Sequence, residues 1–198
     1  MDWSGSKVNT KSIKWMIAIA VLAVCGIFFF SSYNSFVSKE EEVNASWAQV
    51  ENQLQRRSDL IPNLVETVKG YASQEKEIFT DIADARAKLG GNAGPKEQAA
   101  ANDQLSGALN RLLLVVEKYP DLKSNQNFQS LMDELSGTEN RLAVARKDYN
   151  DLVASYNTKV KKFPGVLFAR LGGFEEKEYF KASEGSEKPV KVDFGNNE

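Results

Sequence analysis

A long amphipathic periodicity constrains this chain most. From Val43 to Leu89, mostly apolar side chains recur at alternating steps of four and three over about seven heptads. This is the spacing of a helix in a bundle or coiled coil. The members of this seam are Val43, Trp47, Val50, Leu54, Arg57, Ile61, Leu64, Val68, Tyr71, Glu75, Ile78, Ile82, Ala85 and Leu89. The pattern predicts one long helix, which Gly90–Gly91 ends.

Two further seams follow, and the whole chain is predicted to be all-α. A second helix is expected over 95–118, and a third, long helix over 125–163, which Pro164–Gly165 ends. Because the second helix is short, we expect residues 119–126 to run extended. The third helix would then lie parallel to the first, with each residue beside one about 75 positions earlier. A short fourth helical segment is expected within 166–180, broken by Gly172–Gly173.

An apolar segment near the N-terminus predicts a transmembrane helix over 13–37. Residues 15–37 carry no charge, and these 23 residues would span about 35 Å, enough for a hydrocarbon core of roughly 30 Å. Trp15 and Tyr33 lie near its two ends, as interfacial aromatic residues do. Cleavage as a signal peptide is disfavoured because Phe28–Phe30 stands where a small-residue site is needed. A lipidated Cys25 remains an alternative to the uncleaved single-pass helix.

The charges that flank this segment predict its orientation. Lys7, Lys11 and Lys14 precede it, whereas Lys39 is followed at once by the acidic residues 40–42. The positive-inside bias therefore favours a cytoplasmic N-terminus and a C-terminal domain outside the cytoplasm. The resulting organisation is a short tail over 1–12, the transmembrane helix over 13–37, a helical domain over 38–182 and a flexible tail over 183–198.

Composition narrows the possible functions. The chain has no histidine, the commonest general base and metal ligand, and its one cysteine lies in the apolar segment. We therefore expect no metal, no cofactor and no catalytic residue. Residues 39–198 carry 22 basic and 26 acidic side chains, a net charge of −4, so nucleic acid is not an expected partner.

The run from Gln55 to Ala72 breaks the local rules of an amphipathic helix. Arg57 falls on the apolar seam, and a buried guanidinium needs a partner, for which Asp133, Glu134 or Glu139 are candidates. We interpret Arg57 as one half of a buried ion pair that fixes helix register, in preference to a ligand-binding arginine. Arg56 is expected on the flank of the helix.

Three more residues of this run are interaction candidates or structural elements. Asp59, like Arg56, is expected to be solvated or to contact another subunit. Pro62 removes an amide donor and leaves the carbonyl of Ser58 without its helical partner, which predicts a kink. Asn63 or an arginine is expected to satisfy that carbonyl. A kink is preferred over a switching hinge.

Several stretches resemble the LemA family of bacterial membrane proteins. They are Tyr33-Asn34, Val43-Asn44-Ala45-Ser46-Trp47, the QRRSDLIPNLVETVKGYA run over 55–72, Ala83-Asp84-Ala85-Arg86, Tyr156-Asn157 and Phe163-Pro164. The resemblance covers residues 33–180 and implies an up-and-down four-helix bundle on one membrane anchor, with no enzyme activity. Many relatives carry a cysteine–glycine pair directly ahead of the tyrosine–asparagine pair. Here Cys25-Gly26 stands apart from it.

Three classes of function follow. The leading hypothesis is a scaffold or adaptor, anchored in the lipid bilayer, that forms homo-oligomers through residues 27–50, with Phe28, Phe29, Phe30 and Phe36 available for lateral packing. The second is a binding module that regulates an enzyme of the same membrane. The family resemblance suggests a metalloprotease as that partner. An autonomous hydrolase is the third and least favoured.

Overall fold

The computed structural model describes residues 10–89 and 93–181, which are helical without any strand. Six helices occur: α1 (Thr10–Lys69), α2 (Lys76–Leu89), α3 (Pro95–Val116), α4 (Pro120–Lys123), α5 (Gln126–Lys161) and α6 (Gly165–Gly172). The prediction of an all-α chain is confirmed, with a long, apolar N-terminal helix, whereas the four-helix bundle stays a prediction. Most of the tail over 1–12, the pair Gly90–Gly91 and the tail over 183–198 lie outside the described residues.

The apolar segment forms the first part of α1. Side chains 15–30 are exposed apart from the half-buried Gly26 and Phe29. Among the described residues, α1 is the one helix that is long and apolar enough to cross a membrane. No loop separates this segment from the first heptads of the seam, because α1 continues to Lys69.

The long helix predicted from Val43 to Leu89 is interrupted, contrary to expectation. α1 ends at Lys69, a turn follows, and α2 begins at Lys76. The amides of Tyr71 and Ala72 both donate to the carbonyl of Val68, which closes the turn just after Gly70, a residue that disfavours a helix interior. The apolar pattern in the sequence continues across this turn because α2 has a buried stripe of its own, formed by Phe79, Ile82, Ala85 and Leu89.

The chain divides into two compact units. The anchor unit comprises Met1–Glu42 and Ala154–Glu176, and the core unit comprises Val43–Val153 and Lys177–Glu198, each over its described residues. Both α1 and α5 contribute to each unit.

Within the core unit, α1 and α5 run antiparallel. The ring of Trp47 lies 5.1 Å from that of Tyr149, and Asn125, just before α5, donates its side-chain amide to the hydroxyl of Tyr71 at 3.1 Å. The predicted parallel arrangement, with partners about 75 positions apart, is therefore wrong, because α2 already reverses the chain direction. The extended segment predicted over 119–126 is also wrong, since Pro120 begins the short helix α4.

The end of the described chain closes over the core unit without forming a helix. α6 ends at Gly172, at the predicted break, and Gly173 caps it with a left-handed φ of 73°. Further along, the side-chain amide of Asn150 both donates to and accepts from the backbone of Phe180, each at 2.9 Å. The hydroxyl of Tyr149 donates to the carbonyl of Glu178 at 2.7 Å. Phe180 is thereby held in a buried position.

The anchor unit is held together by aromatic rings. Phe36 is fully buried, stacked on Phe174 at 5.0 Å and edge-on to Tyr156 at 6.5 Å. Phe29 packs against Phe168 at 5.9 Å. Phe36 is therefore covered by its own chain, and the expectation that it is available for lateral packing is wrong. Phe29 is half-buried against Phe168.

Candidate functional site

Arg57 is the centre of a buried polar network in the core unit. Its exposed fraction is 4%, although most arginines lie at the surface. Nη1 donates to Oδ1 of Asn102 at 2.5 Å, and Nη2 donates to Oγ of Ser106 at 3.0 Å. Helix α1 thus presents its seam arginine to two polar residues one turn apart on α3.

Glu139 on α5 supplies the opposite charge. Its Oε2 lies 2.6 Å from Nη1 of Arg57, an ion contact without the geometry of a hydrogen bond. Burial lowers the pKa of Arg57, and the negative charges of Glu139 and Asp103 oppose that effect. The side chain of Glu139 is 42% exposed as a whole, but the Oε2 atom that meets Arg57 is buried. Of the three predicted acidic candidates, the structure brings Glu139 to Arg57.

Two buried polar atoms of the network, Nε of Arg57 and Oε2 of Glu139, have no hydrogen-bond partner among the described residues, although Oε2 is in ion contact with Arg57. Oε1 of Gln53, one turn before Arg57 on α1, also has none. A buried donor or acceptor without a partner costs roughly 1–3 kcal/mol, so the network is not optimised for stability alone.

Pro62 and Arg86 form a second feature of the same run. Because proline has no amide hydrogen, the carbonyl of Ser58 lacks its helical partner, and Nε of Arg86 on α2 donates to that carbonyl at 3.0 Å. Of the predicted donors, the arginine alternative is therefore the one observed, and Asn63 is not involved. The helix continues through Pro62 to Lys69, and the kink stays a prediction.

The other candidates lie at the surface. Arg56 donates Nη2 to Oε1 of Glu134 at 2.7 Å, with both side chains about half exposed. Asp59 is exposed and accepts from Nε2 of Gln55 at 2.8 Å. Asn63 is exposed, and its carbonyl accepts from the hydroxyl of Thr67 at 2.8 Å. The structure does not bring these three side chains into the Arg57 network.

A groove of about 510 Å³ lies between α1 and α2 beside Pro62. Ile61, Val65, Phe79 and Ile82 contribute apolar surface, and polar groups come from Gln55, Ser58, Lys69 and Arg86. Its composition suits an apolar side chain of a partner more than a small polar substrate.

The network is better suited to positioning helices than to chemistry. The hydroxyl of Ser106 donates to the carbonyl of Asn102 at 2.9 Å while accepting from Arg57, so its hydrogen is already engaged. In the described part of the chain, no group of three or more acidic, cysteine or histidine side chains is placed to hold a metal ion.

Sequence reasoning missed Asn102 and Ser106. Asn102 precedes Leu105 by three positions and therefore falls on the buried stripe of α3, a signal that was available. Ser106 carried no such signal, because it lies at the edge of that stripe, half-buried.

The chain matches the model of the LemA family over residues 46–194. It is 28% identical to the magnetosome protein MamQ of Magnetospirillum gryphiswaldense, an alignment that covers 96% of this chain and 80% of that protein. It is 29% identical to magnetosome protein MamQ 2 of Paramagnetospirillum magneticum (88% and 75% covered) and 25% identical to protein LemA of Metamycoplasma hominis (76% and 70% covered). With its apolar N-terminal helix and its match to this family over most of its length, the chain is a membrane protein that belongs to the LemA family.

Proposed function

We propose that this protein is a non-catalytic scaffold of the bacterial inner membrane, which self-associates laterally through α1. The observation that carries the proposal is the exposure of Phe28 and Phe30, at 62% and 68%, on a helix whose other phenylalanines are covered. Two positions apart on a helix corresponds to about 200°, so the two rings project from nearly opposite sides. Contacts on both sides of each helix suit an open array better than a closed dimer.

Mass photometry of the gently solubilised full-length protein tests this proposal. We expect large species for the wild type, and mainly dimers for Phe28→Ala or Phe30→Ala, because each variant retains one contact side. The double variant is expected to be monomeric.

Phe29→Ala is the matched control, since Phe29 packs on Phe168 of its own chain at 5.9 Å. Finding only monomers of the wild type would refute the scaffold. So would an equal loss of large species in Phe29→Ala, because the exposed rings would then have no special role.

The proposed orientation places the core unit on the periplasmic side. The lysines before the span support this orientation. However, the fold also brings Lys159, Lys161, Lys162 and Arg170 into the anchor unit, and these basic residues are not included when only the residues that flank the span in sequence are counted. A cysteine at the exposed Lys181, with Cys25 replaced by alanine, should react with a membrane-impermeant maleimide in intact spheroplasts. Reaction only after lysis would reverse the orientation.

A second candidate is a binding module that regulates an enzyme of the same membrane, such as a metalloprotease. The groove beside Pro62 favours it, because its apolar floor is accessible to an extended or helical partner. A photoreactive side chain at Gln55, followed by mass spectrometry of native membranes, would distinguish the two. Adducts to a second protein favour the module, and adducts to copies of this chain favour the scaffold.

A further inference from the structure

Helix α6 presents an exposed apolar stripe that no part of the described chain covers. Leu167 and Leu171 are four positions apart on α6 and share one side of it, and Phe163 lies in the turn just before the helix. The exposed fractions of Phe163, Leu167 and Leu171 are 76%, 52% and 74%, whereas Ala169 on the inner side is buried. Large apolar side chains this exposed on and beside an eight-residue helix need an apolar environment that the described part of the chain does not supply.

The glycines at its ends hold α6 in place. A Cβ atom at Gly165 would lie 2.3 Å from the carbonyl oxygen of Lys159, so the helix starts against the end of α5 at a distance that only glycine permits. A Cβ atom at Gly172 would lie 2.6 Å from the ring of Phe174. The start of α6 is therefore fixed by the backbone of α5, and its end packs closely on the ring of Phe174.

The position of α6 along α1 relates the stripe to the membrane. Phe168 packs on Phe29, which belongs to the uninterrupted apolar segment 16–30, and Phe174 lies 5.4 Å from Tyr33. These contacts lie within the anchor unit, at the level where α1 leaves its apolar segment. Aromatic residues concentrate at this depth because their rings suit the boundary between acyl chains and headgroups.

We propose that α6 is a second membrane contact, whose stripe inserts into the acyl–headgroup boundary of the bilayer that α1 spans. The stripe is continuous with the membrane-spanning surface through the Phe29–Phe168 contact. Lys162 and Arg170 are exposed on the same short segment, where they would meet the phosphates of glycerophospholipids. Such a contact is independent of self-association, because a single copy has both the span and the stripe.

Depth-resolved fluorescence quenching of the full-length protein tests this inference. All variants carry Cys25→Ala. One has Leu167→Cys, a second has Leu171→Cys, and the control has Ser130→Cys, an exposed position on α5 in the core unit. Each is labelled with the dye NBD and reconstituted into vesicles of phosphatidylcholine and phosphatidylglycerol. The vesicles contain nitroxide lipids labelled at the headgroup, the upper acyl chain or the chain terminus.

We expect a blue-shifted emission at positions 167 and 171, and quenching by the upper-chain nitroxide at least about twofold stronger than at position 130. Water-like emission at both stripe positions would overturn the inference. Blue-shifted emission without lipid quenching would also overturn it, because a second copy or another protein would then cover the stripe. Two labelled positions guard against a local disturbance by either substitution.

Discussion

The surroundings of Phe36 and of Arg57 are built on the same two helices in opposite ways. Phe36 contacts Tyr156 of α5 and Phe174 through ring faces and edges. Arg57 contacts Glu139 of α5 and two residues of α3 through directed polar groups. Both side chains are buried. The stability of the region around Phe36 depends on the volume that its side chains fill, whereas that of the region around Arg57 depends on the directions of its hydrogen-bond donors and acceptors.

This difference determines which substitutions each region should tolerate. Apolar contacts are non-directional, so a smaller apolar residue at Phe36 retains part of the stabilisation. A guanidinium has a rigid set of donors, which a lysine of the same charge does not reproduce.

The aromatic region also contains one polar atom without a hydrogen-bond partner among the described residues, the hydroxyl of Tyr156. Burial, together with the charge of Glu40, raises the pKa of that tyrosine to about 12.

The largest effect is expected at Phe36. Phe36→Ala should lower the free energy of unfolding by about 3–5 kcal/mol, because it leaves a cavity between Tyr156 and Phe174. Phe36→Leu should cost about 1–2 kcal/mol, since most of the volume remains. Urea unfolding of the full chain in detergent, followed by far-UV circular dichroism, measures both. Equal losses for the two variants would contradict a region that depends on volume.

Arg57→Ala is expected to cost about 2–4 kcal/mol, because it strands polar atoms of Asn102 and Ser106 while the exposed half of Glu139 stays solvated. Arg57→Lys should recover little of this loss. Arg56→Ala is the matched control, and its surface ion pair should contribute no more than about 0.5 kcal/mol. The same urea titrations apply. If Arg57→Lys has the same unfolding free energy as the wild type, a positive charge alone is sufficient to stabilise this region. The proposed difference between a directional region at Arg57 and a volume-dependent region at Phe36 would then be refuted.

The smallest effect concerns the carbonyl of Ser58. Arg86→Ala removes its donor and should cost about 1–3 kcal/mol. Pro62→Ala restores an amide donor at the normal helical position, so Arg86→Ala should cost less in a Pro62→Ala background. A double-mutant cycle of unfolding free energies measures this coupling. Additive costs would show that Arg86 stabilises the protein through some other contact.

The sequence predicted helix content and the membrane segment well, because both depend on local pattern. The 3.5-residue period located the seam, and Arg57 on that seam was correctly placed in the interior. The turn after Lys69 was missed, although Gly70 was a local signal. A turn whose length keeps the next helix in phase leaves the periodicity unchanged, and period analysis cannot detect it.

The partners of Arg57 needed the tertiary fold. Glu139 was one of three predicted candidates, but choosing it among them and adding Asn102 required knowing how three helices meet, and the expected parallel arrangement gave a wrong helix direction. The hydrogen-bond donor to the carbonyl of Ser58 was easier to predict from the sequence, because a proline in a helix leaves a known carbonyl free and few types of side chain can donate to it. Which arginine supplies it depends on the direction of α2, and thus on the turn that was missed.

Fixing α6 by glycines at both ends has a consequence for insertions and deletions. With Gly165 held against Lys159 and Gly172 held against Phe174, the number of residues between them sets the angular position of every side chain in between. One residue inserted between Leu167 and Leu171 would rotate all that follow by about 100° about the helix axis. The two leucines would then no longer share a side of the segment. The stripe should therefore tolerate the replacement of one residue by another better than a change in the number of residues.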